Sequence, residues 1–185
     1  MKPSLIKKIM QEVGDEIDSV LKKIDDKKTE KFIRLIRKSK KVFLIGSGRS
    51  GLVAEAFGMR IMQLGLKSYI LGESISPEPQ KGDLLVVISG SGKTKVTKDI
   101  VFGVKKRGIK ICLLTANLKS ELAKESNLVL KIDAKTKLAK RKSIEPLGSL
   151  FEQASFVYLD SVIILLMKKL KKSELFLKKM HSKSK

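Results

Sequence analysis

The sequence predicts an α/β fold, a three-layer sandwich built on a five-stranded parallel sheet and preceded by a helical N-terminal arm. The first observation behind this prediction is that short apolar runs alternate with helical segments over residues 42–170. Such alternation is typical of a parallel sheet with helices on both faces. The second observation is that two of the apolar runs end in glycine-rich turns leading directly into helices, as strands of open parallel sheets commonly do.

The N-terminal arm, residues 1–41, consists of two predicted helices. Residues 4–24 form the first, with Ser4 as its cap. Its apolar side chains recur at helical spacing, namely Leu5, Ile6, Ile9, Val13, Ile17, Val20, Leu21 and Ile24. Asp25 and Asp26 interrupt this stripe and can cap a second helix. The apolar face of that second helix comprises Phe32, Ile33, Leu35 and Ile36.

The other elements follow in order, and we expect all of them to belong to one domain spanning residues 1–185. The predicted strands are at residues 42–45, 68–71, 83–89, 110–115 and 127–132. The predicted helices are at residues 52–64, 94–106, 119–125, 150–170 and 173–180. The last of these helices lies in a basic C-terminal tail, residues 171–185, outside the α/β core of residues 42–170.

The helix at 150–170 is apolar on nearly every side, which favours burial all round and therefore a subunit interface. Its most apolar stretch, residues 157–167, is too short to cross a bilayer, and Asp160 interrupts it. No apolar segment of a secretory signal follows Met1. We therefore expect a cytoplasmic protein with no membrane partner.

The composition combines an apolar content of 42% with a net charge of +21 and a pI near 10.0. Such charge indicates nucleic-acid binding where it is concentrated on one surface, but here it is spread along the chain. The aromatic content of 5% also offers few surfaces for stacking bases, so we expect no nucleic-acid partner. The chain has one cysteine, Cys112, and one histidine, His181. A single cysteine excludes a disulfide framework within the chain and a multi-cysteine zinc site.

Residues 46–51, Gly-Ser-Gly-Arg-Ser-Gly, match the G-x-G-x-x-G fingerprint of dinucleotide sites and stand between a predicted strand and a predicted helix. Glu73 is then the candidate ribose-binding acid. It lies 27 residues after Gly46, whereas the usual spacing is about 20. A tight turn and close helix packing explain the glycines equally well. A dinucleotide enzyme stays an open alternative at this point.

The second glycine-rich turn is residues 89–94, Ser-Gly-Ser-Gly-Lys-Thr, after the third predicted strand. A P-loop requires another glycine five positions before Gly92, where a valine stands, so a nucleoside triphosphate site is excluded by spacing. Ser89, Ser91 and Thr94 offer three hydroxyls beside the N–H groups of a helix start, which suits one phosphate. An ordinary helix cap also favours Ser and Thr, but it needs fewer hydroxyls and glycines.

Together these loops resemble those of the SIS (sugar isomerase) family, whose members bind phosphorylated sugars. The matching motifs are Gly-Arg-Ser-Gly at 48–51 and Ser-Gly-Ser-Gly-x-Thr at 89–94. Further matching segments are residues 59–65, 86–94, 135–138 and 146–153. Within the family the chain most closely resembles the 6-phospho-3-hexuloisomerases. The resemblance extends over nearly all of residues 30–170 and implies the flavodoxin-like SIS fold.

The resemblance also implies a reaction, the interconversion of 3-hexulose 6-phosphate and fructose 6-phosphate through a cis-enediol, with neither metal nor cofactor. The residues implied to bind substrate and phosphate are Gly48, Arg49, Ser50, Ser89, Gly90, Ser91, Gly92, Lys93 and Thr94. The assembly it implies is a homotetramer. The metabolic roles that the resemblance implies are formaldehyde fixation through the ribulose monophosphate pathway or supply of pentose phosphate.

Two residues are implied to be catalytic, Glu152 as the base and His181 as an aid to ring opening or proton transfer, acting in a neighbouring subunit. For Glu152 the residues themselves favour another interpretation, because Ser149-x-x-Glu152 is a capping box at the start of a helix. His181 departs from the family pattern, since Met180 precedes it in place of the usual Arg.

Two further functions stay open within the same fold. A non-catalytic regulator would bind the same sugar phosphate without turning it over. Another sugar-phosphate isomerase, such as an arabinose 5-phosphate isomerase, would use the same loops on a different sugar.

Overall fold

The computed structural model describes residues 4–138 and 142–181, and it confirms the predicted α/β fold. Within those residues the strands are β1 (Val42–Gly46), β2 (Ser68–Ile70), β3 (Leu84–Ile88), β4 (Lys110–Thr115) and β5 (Leu128–Lys131). The helices are α1 (Leu5–Leu21), α2 (Asp26–Lys38), α3 (Arg49–Gln63), α4 (Lys95–Lys105), α5 (Glu121–Glu125), α6 (Ser149–Leu170) and α7 (Glu174–Met180). Residues 182–185 of the predicted tail lie outside the described residues.

All five strands of the described residues are parallel and lie in the order β2-β1-β3-β4-β5. The alternating side chains of each strand face two separate cores, as a sheet covered on both sides requires. Leu44 and Val86 belong to the core under α1, α2, α3 and α6. Phe43 and Leu85 belong to the core under α4 and α5. The result is a three-layer sandwich.

Both helices of the N-terminal arm pack onto the sandwich, α1 against α6 and α2 against α6 and β5. Asp25 caps α2 by accepting a hydrogen bond from the N–H of Lys28, and Phe32 and Ile33 are buried against the sheet layer. The first helix differs from the prediction. It ends at Leu21 rather than at residue 24, Ser4 makes no side-chain capping bond, and the first half of its apolar stripe is exposed.

Helix α6 is long and apolar enough to cross a membrane by length and composition alone, and half of its most apolar window is buried inside the molecule. It packs against α1, α2 and α3, as a core helix does. Four large apolar side chains on its outer side are exposed, namely Phe156, Val157, Ile164 and Leu165. The chain alone therefore covers only part of this helix.

Candidate active site

A cavity of about 300 Å³ opens at the edge of the sheet where the strands end. It lies between β1 and β3, which are neighbours although the chain leaves them toward opposite sides of the sheet. Such switch points are where open parallel sheets bind ligands. The cavity is lined by Ser47, Ser50, Ile88, Ser89, Gly90, Ser91, Lys93, Thr94, Thr136, Lys137, Leu138, Gly148, Phe151 and Glu152.

The first glycine-rich loop brings the start of α3 against the end of β1. A Cβ on Gly46 would lie 2.5 Å from the backbone oxygen of Ser50, so only glycine permits this close approach. Gly48 adopts a φ of +58° and places the chain to begin α3 at Arg49, three residues earlier than predicted. The hydroxyl of Ser47 lies 3.0 Å from that of Thr97 and ties this loop to α4.

The second loop is shaped by two glycines with different neighbours. A Cβ on Gly90 would lie 3.0 Å from both Phe151 and Thr136, on the floor of the cavity. Gly92 has a φ of +63°, and a Cβ there would lie 2.3 Å from Oγ of Ser120. Gly92 leaves no room for a side chain, and Gly90 leaves room for one only if its neighbours shift, so the loop follows a tight curve along the cavity.

Thr94 occupies the N-cap position of α4 but makes no side-chain capping bond with that helix. The first N–H groups of a helix have no partners within it, and they carry a partial positive charge. Thr94 therefore leaves its hydroxyl and these N–H groups available at the cavity wall. Lys93 is exposed at the same wall and adds a positive charge.

The carboxylate of Glu152 is held by the Arg49 guanidinium and not by the start of its own helix. The N-cap of α6 is Gly148, which can offer no side chain, and the predicted capping box does not form. Instead, Nε of Arg49 donates to Oε2 of Glu152 in an ion pair that joins α3 to α6. The Glu152 side chain is 17% exposed and Arg49 is 60% exposed. Glu152 is thus sheltered but still open to the cavity.

His181 lies at the other end of α3, away from this cavity. Its Nδ1 is 2.8 Å from Nε2 of Gln63, the last residue of the helix. Arg49 begins the same 15-residue helix, so the two ends are roughly 22 Å apart along its axis. Within one chain, the structure does not bring His181 to Glu152.

Among the other predicted residues, Ser50 and most of residues 89–94 line the cavity directly. Gly48 and Gly92 shape the two loops, and Arg49 holds Glu152, but these three residues do not line the cavity wall. The site prediction did not include Thr136, Lys137 and Phe151. A signal for the first two was present. They follow β5, which ends at the same sheet edge as β1 and β3.

Glu73, the acid that a dinucleotide site would require, does not line this cavity. It follows β2 and lines a separate depression of about 310 Å³ beside the edge of the sheet, together with Glu55. Among residues 4–138 and 142–181, no three His, Cys, Asp or Glu side chains are grouped so that they could hold a metal ion. Cys112 is buried on β4, and burial raises the pKa of its thiol.

The sequence profile of the SIS domain matches residues 35–155 of the chain. A 3-hexulose-6-phosphate isomerase from Bacillus subtilis is 34% identical over 161 residues, covering 85% of this chain and 87% of the relative. Another from Methanocaldococcus jannaschii is 38% identical over 155 residues, covering 83% and 82%. A solved structure from Methanococcus jannaschii, inferred from that structure to be a 3-hexulose-6-phosphate isomerase, superposes with a TM-score of 0.83. It is 32% identical, with 96% of this chain and 99% of that chain covered.

Proposed function

The chain belongs to the SIS domain family, and from this premise we propose that it is a 6-phospho-3-hexuloisomerase, an intramolecular oxidoreductase. It interconverts D-arabino-hex-3-ulose 6-phosphate and D-fructose 6-phosphate. The observation that carries the proposal is the convergence of a hydroxyl-lined helix start and a sheltered carboxylate, Glu152, on one cavity. The named relatives, which match more than four-fifths of this chain, support the choice of substrate.

We assign the phosphate group to the turn of residues 89–94. Hydroxyls of Ser89, Ser91 and Thr94, together with the free N–H groups of α4, supply uncharged donors, and Lys93 supplies a positive charge. Ser50 lies across the cavity, at the start of α3. A phosphate held there leaves the carbon chain of the sugar to extend toward Phe151 and Glu152.

Glu152 is the base in this proposal. Its carboxylate takes the proton from C2 of the hexulose while the C3 carbonyl oxygen gains a proton, which gives the cis-enediol. A proton then returns to C3 as the C2 hydroxyl loses its own, and the C2 carbonyl of fructose 6-phosphate forms. Protons and electrons balance within the sugar, so no external oxidant or reductant is consumed. A carboxylate sheltered from water suits this transfer.

Arg49 holds the Glu152 carboxylate in place through the ion pair across α3 and α6. The pair fixes one carboxylate oxygen and leaves the other to face the substrate. Such an arrangement orients the base, which favours a productive geometry.

We further propose a closed homo-oligomer, a tetramer by family resemblance, that works in the cytoplasm and in the ribulose monophosphate pathway. The exposed apolar side chains of α6, together with Leu52 of α3, form a surface that a second copy could cover. Since His181 lies at the far end of α3 from its own cavity, a catalytic role for it requires the cavity of a neighbouring subunit. Light scattering after gel filtration measures the assembly.

A coupled assay for fructose 6-phosphate formed from 3-hexulose 6-phosphate, without added metal or nucleotide, tests the function. The parent should turn over, and Glu152→Gln should lose activity by about 10²–10⁴-fold, the usual contribution of an acid–base group, while still binding fructose 6-phosphate. Glu73→Gln is the matched control, because this carboxylate lies outside the cavity, and its activity should equal that of the parent.

A folded parent that binds fructose 6-phosphate without turnover contradicts the proposed enzyme and favours the regulator. Turnover of arabinose 5-phosphate in place of the hexulose would show that the substrate assignment is wrong.

A further inference from the structure

Removal of the proton from C2 of the sugar places a negative charge on the C3 oxygen, because the electron pair of the broken bond moves into the C2–C3 bond and the carbonyl pair moves onto oxygen. In a sheltered cavity, a charge that develops in this way needs a donor or a cation placed in advance. Among the described residues that line the cavity, two are lysines, Lys93 and Lys137. Lys93 belongs to the turn that we assign to the phosphate, which leaves Lys137.

Lys137 lies in a short segment between the phosphate-binding turn and the base. On one side, Thr136 is buried, and its Cγ2 lies 3.0 Å from the position that a Cβ on Gly90 would occupy. On the other side, the backbone nitrogen of Lys137 lies 3.5 Å from the position that a Cβ on Gly148 would occupy, and Oε1 of Glu152 lies 3.4 Å from that same position. The backbone of Lys137 is therefore close to the carboxylate oxygen that is not in the ion pair.

The side chain of Lys137 is available to a ligand at this place. The residue is exposed and lines the cavity, and its ammonium forms no ion pair or hydrogen bond within residues 4–138 and 142–181. Lys135 differs, because its Nζ donates to the backbone oxygen of Glu145 at 3.0 Å and anchors the segment. A lysine side chain combines one charge with a flexible four-carbon chain and three donors, so this ammonium can reach the oxygens of a sugar in the cavity.

We propose that Lys137 is a catalytic residue whose ammonium stabilises the enediolate formed from the sugar. The proposal rests on the proposed function, in which Glu152 is the base. As Glu152 takes the proton from C2, the ammonium hydrogen-bonds to the C3 oxygen, which carries the negative charge. The two oxygens of the cis-enediolate lie on the same side, so the C2 hydroxyl passes its proton to the C3 oxygen and takes over the charge. The C2 carbonyl then forms, C3 takes the proton back from Glu152, and Lys137 keeps its own protons throughout.

The test is the steady-state kinetics of Lys137→Met, which removes the charge and nearly keeps the length of the side chain. Its kcat should fall about 10²–10³-fold, the usual effect of losing one preorganised donor to a developing charge. Its KM for 3-hexulose 6-phosphate should change little, because the neutral carbonyl of the bound substrate needs the ammonium less than the enediolate does. Lys137→Arg keeps the charge and should retain more activity. A kcat of Lys137→Met equal to that of the parent overturns the proposal and leaves the proposed function in place.

Lys131→Met is the matched control for the loss of one positive charge near the cavity. Lys131 ends β5, its Nζ lies 3.1 Å from Oδ1 of Asp133, and it does not line the cavity. This variant should keep the kcat of the parent. Both lysines are exposed, so the melting temperatures of the two variants should stay close to that of the parent. Equal losses of kcat in the two variants would assign the effect to the general charge of the surface and contradict the proposal.

A binding measurement without turnover separates failure of this proposal from failure of the proposed function. The probe is 4-phospho-D-erythronohydroxamate, whose planar hydroxamate copies the C2 and C3 oxygens of the enediolate. The reference ligand is D-erythritol 4-phosphate, which has the same phosphate and no such group. Lys137→Met should weaken the binding of the hydroxamate about 10–150-fold, as expected for a lost hydrogen bond to a charged group.

The same variant should weaken the binding of the erythritol phosphate at most about 5-fold, the effect of an exposed charge. Equal weakening of both ligands would make Lys137 a phosphate ligand and overturn the proposal. Unchanged binding of both ligands overturns it as well. These outcomes apply whether or not the parent turns over 3-hexulose 6-phosphate.

Discussion

Arg49 and Glu152 form an ion pair that joins the first residue of α3 to the first turn of α6, at the wall of the cavity between β1 and β3. The pair connects a loop that follows the first strand to a helix more than a hundred residues later in the chain. Each partner lacks a competing role at its own helix start, since neither side chain caps a helix. The pair therefore depends on the folded sandwich and fixes the carboxylate at the cavity.

Arg49→Lys should reduce kcat/KM by about 10–100-fold with little change in melting temperature. Lysine keeps the charge, but it is a flexible point charge that cannot reproduce the planar guanidinium geometry, so Glu152 loses its fixed orientation. The ion pair is more than half exposed on the Arg49 side, so its loss should cost little stability. Steady-state kinetics and thermal melts measure the two effects.

Arg107→Lys is the matched control, because Arg107 pairs with Glu78 on an exposed surface away from the cavity. It should leave kcat/KM unchanged. Equal activity of Arg49→Lys and the parent would contradict a role for Arg49 in orienting the base.

Gly92→Ala should destabilise the protein and weaken phosphate binding. The φ of +63° strains any side chain, and the new Cβ would lie 2.3 Å from Oγ of Ser120, which caps α5 and cannot move freely. Backbone strain of this kind costs on the order of 1–3 kcal/mol. Thermal melts measure the stability, and calorimetry with fructose 6-phosphate measures the affinity.

Gly103→Ala provides the control, since Gly103 lies within α4 and has no atom within 4 Å of its added Cβ. It should stabilise the protein by about 0.5–1 kcal/mol. If Gly92→Ala were as stable as Gly103→Ala, the second loop would not have the tight curve described above.

The sequence predicts a site residue when its structural setting is formed by residues next to it in the chain. Residues 46–51 and 89–94 could be placed because a strand, a glycine-rich turn and a helix follow one another directly, and parallel strands bring both turns to one edge. The partner of Glu152 could not be predicted in the same way. The local pattern Ser149-x-x-Glu152 indicates a capping box, and only the packing of α6 on α3 presents Arg49 to the carboxylate.

The same limit applies to buried and exposed faces. The apolar spacing in α2 correctly predicted its buried side, because that helix packs onto the sheet. The same spacing in α1 predicted a stripe whose first half is exposed in the single chain. Periodicity identifies an apolar face but does not identify the surface that covers it.

Thr94→Val should weaken the binding of fructose 6-phosphate by about 10–150-fold, as expected for the loss of one hydrogen bond to a charged group. Stability should change little, because Thr94 makes no side-chain capping bond with α4. Isothermal titration calorimetry measures the affinity, and inorganic phosphate as a second probe tests whether the loss concerns the phosphate group.

Asp25→Ala is the contrasting variant, since Asp25 does cap its helix through the N–H of Lys28. It should cost about 1 kcal/mol of stability and leave the affinity unchanged. A Thr94→Val variant that loses stability while retaining full affinity would show that Thr94 is an ordinary cap.

Glu145→Gln should gain stability relative to the parent as the pH rises. Burial, reinforced by Glu16 and Glu152, raises the pKa of Glu145 in the folded protein above the ordinary value of about 4.5 for a glutamate. The folded parent then binds more protons than the unfolded chain above about pH 4.5, and its stability falls as pH rises through the raised pKa. Glu145→Gln has no ionisable group at this position, so its stability does not fall with pH for this reason. Its melting temperature minus that of the parent should therefore increase between pH 4.5 and neutral pH.

The sign of this dependence is tested against Glu78→Gln. Arg107 lowers the pKa of Glu78 through a hydrogen bond and its charge, so the folded parent binds fewer protons there than the unfolded chain. The difference for Glu78→Gln should be small, because this pair is exposed, and of opposite sign. Melts at matched ionic strength over the same pH range compare the two variants. A difference for Glu145→Gln that stays flat or decreases with pH would contradict the burial of a charged carboxylate at this position.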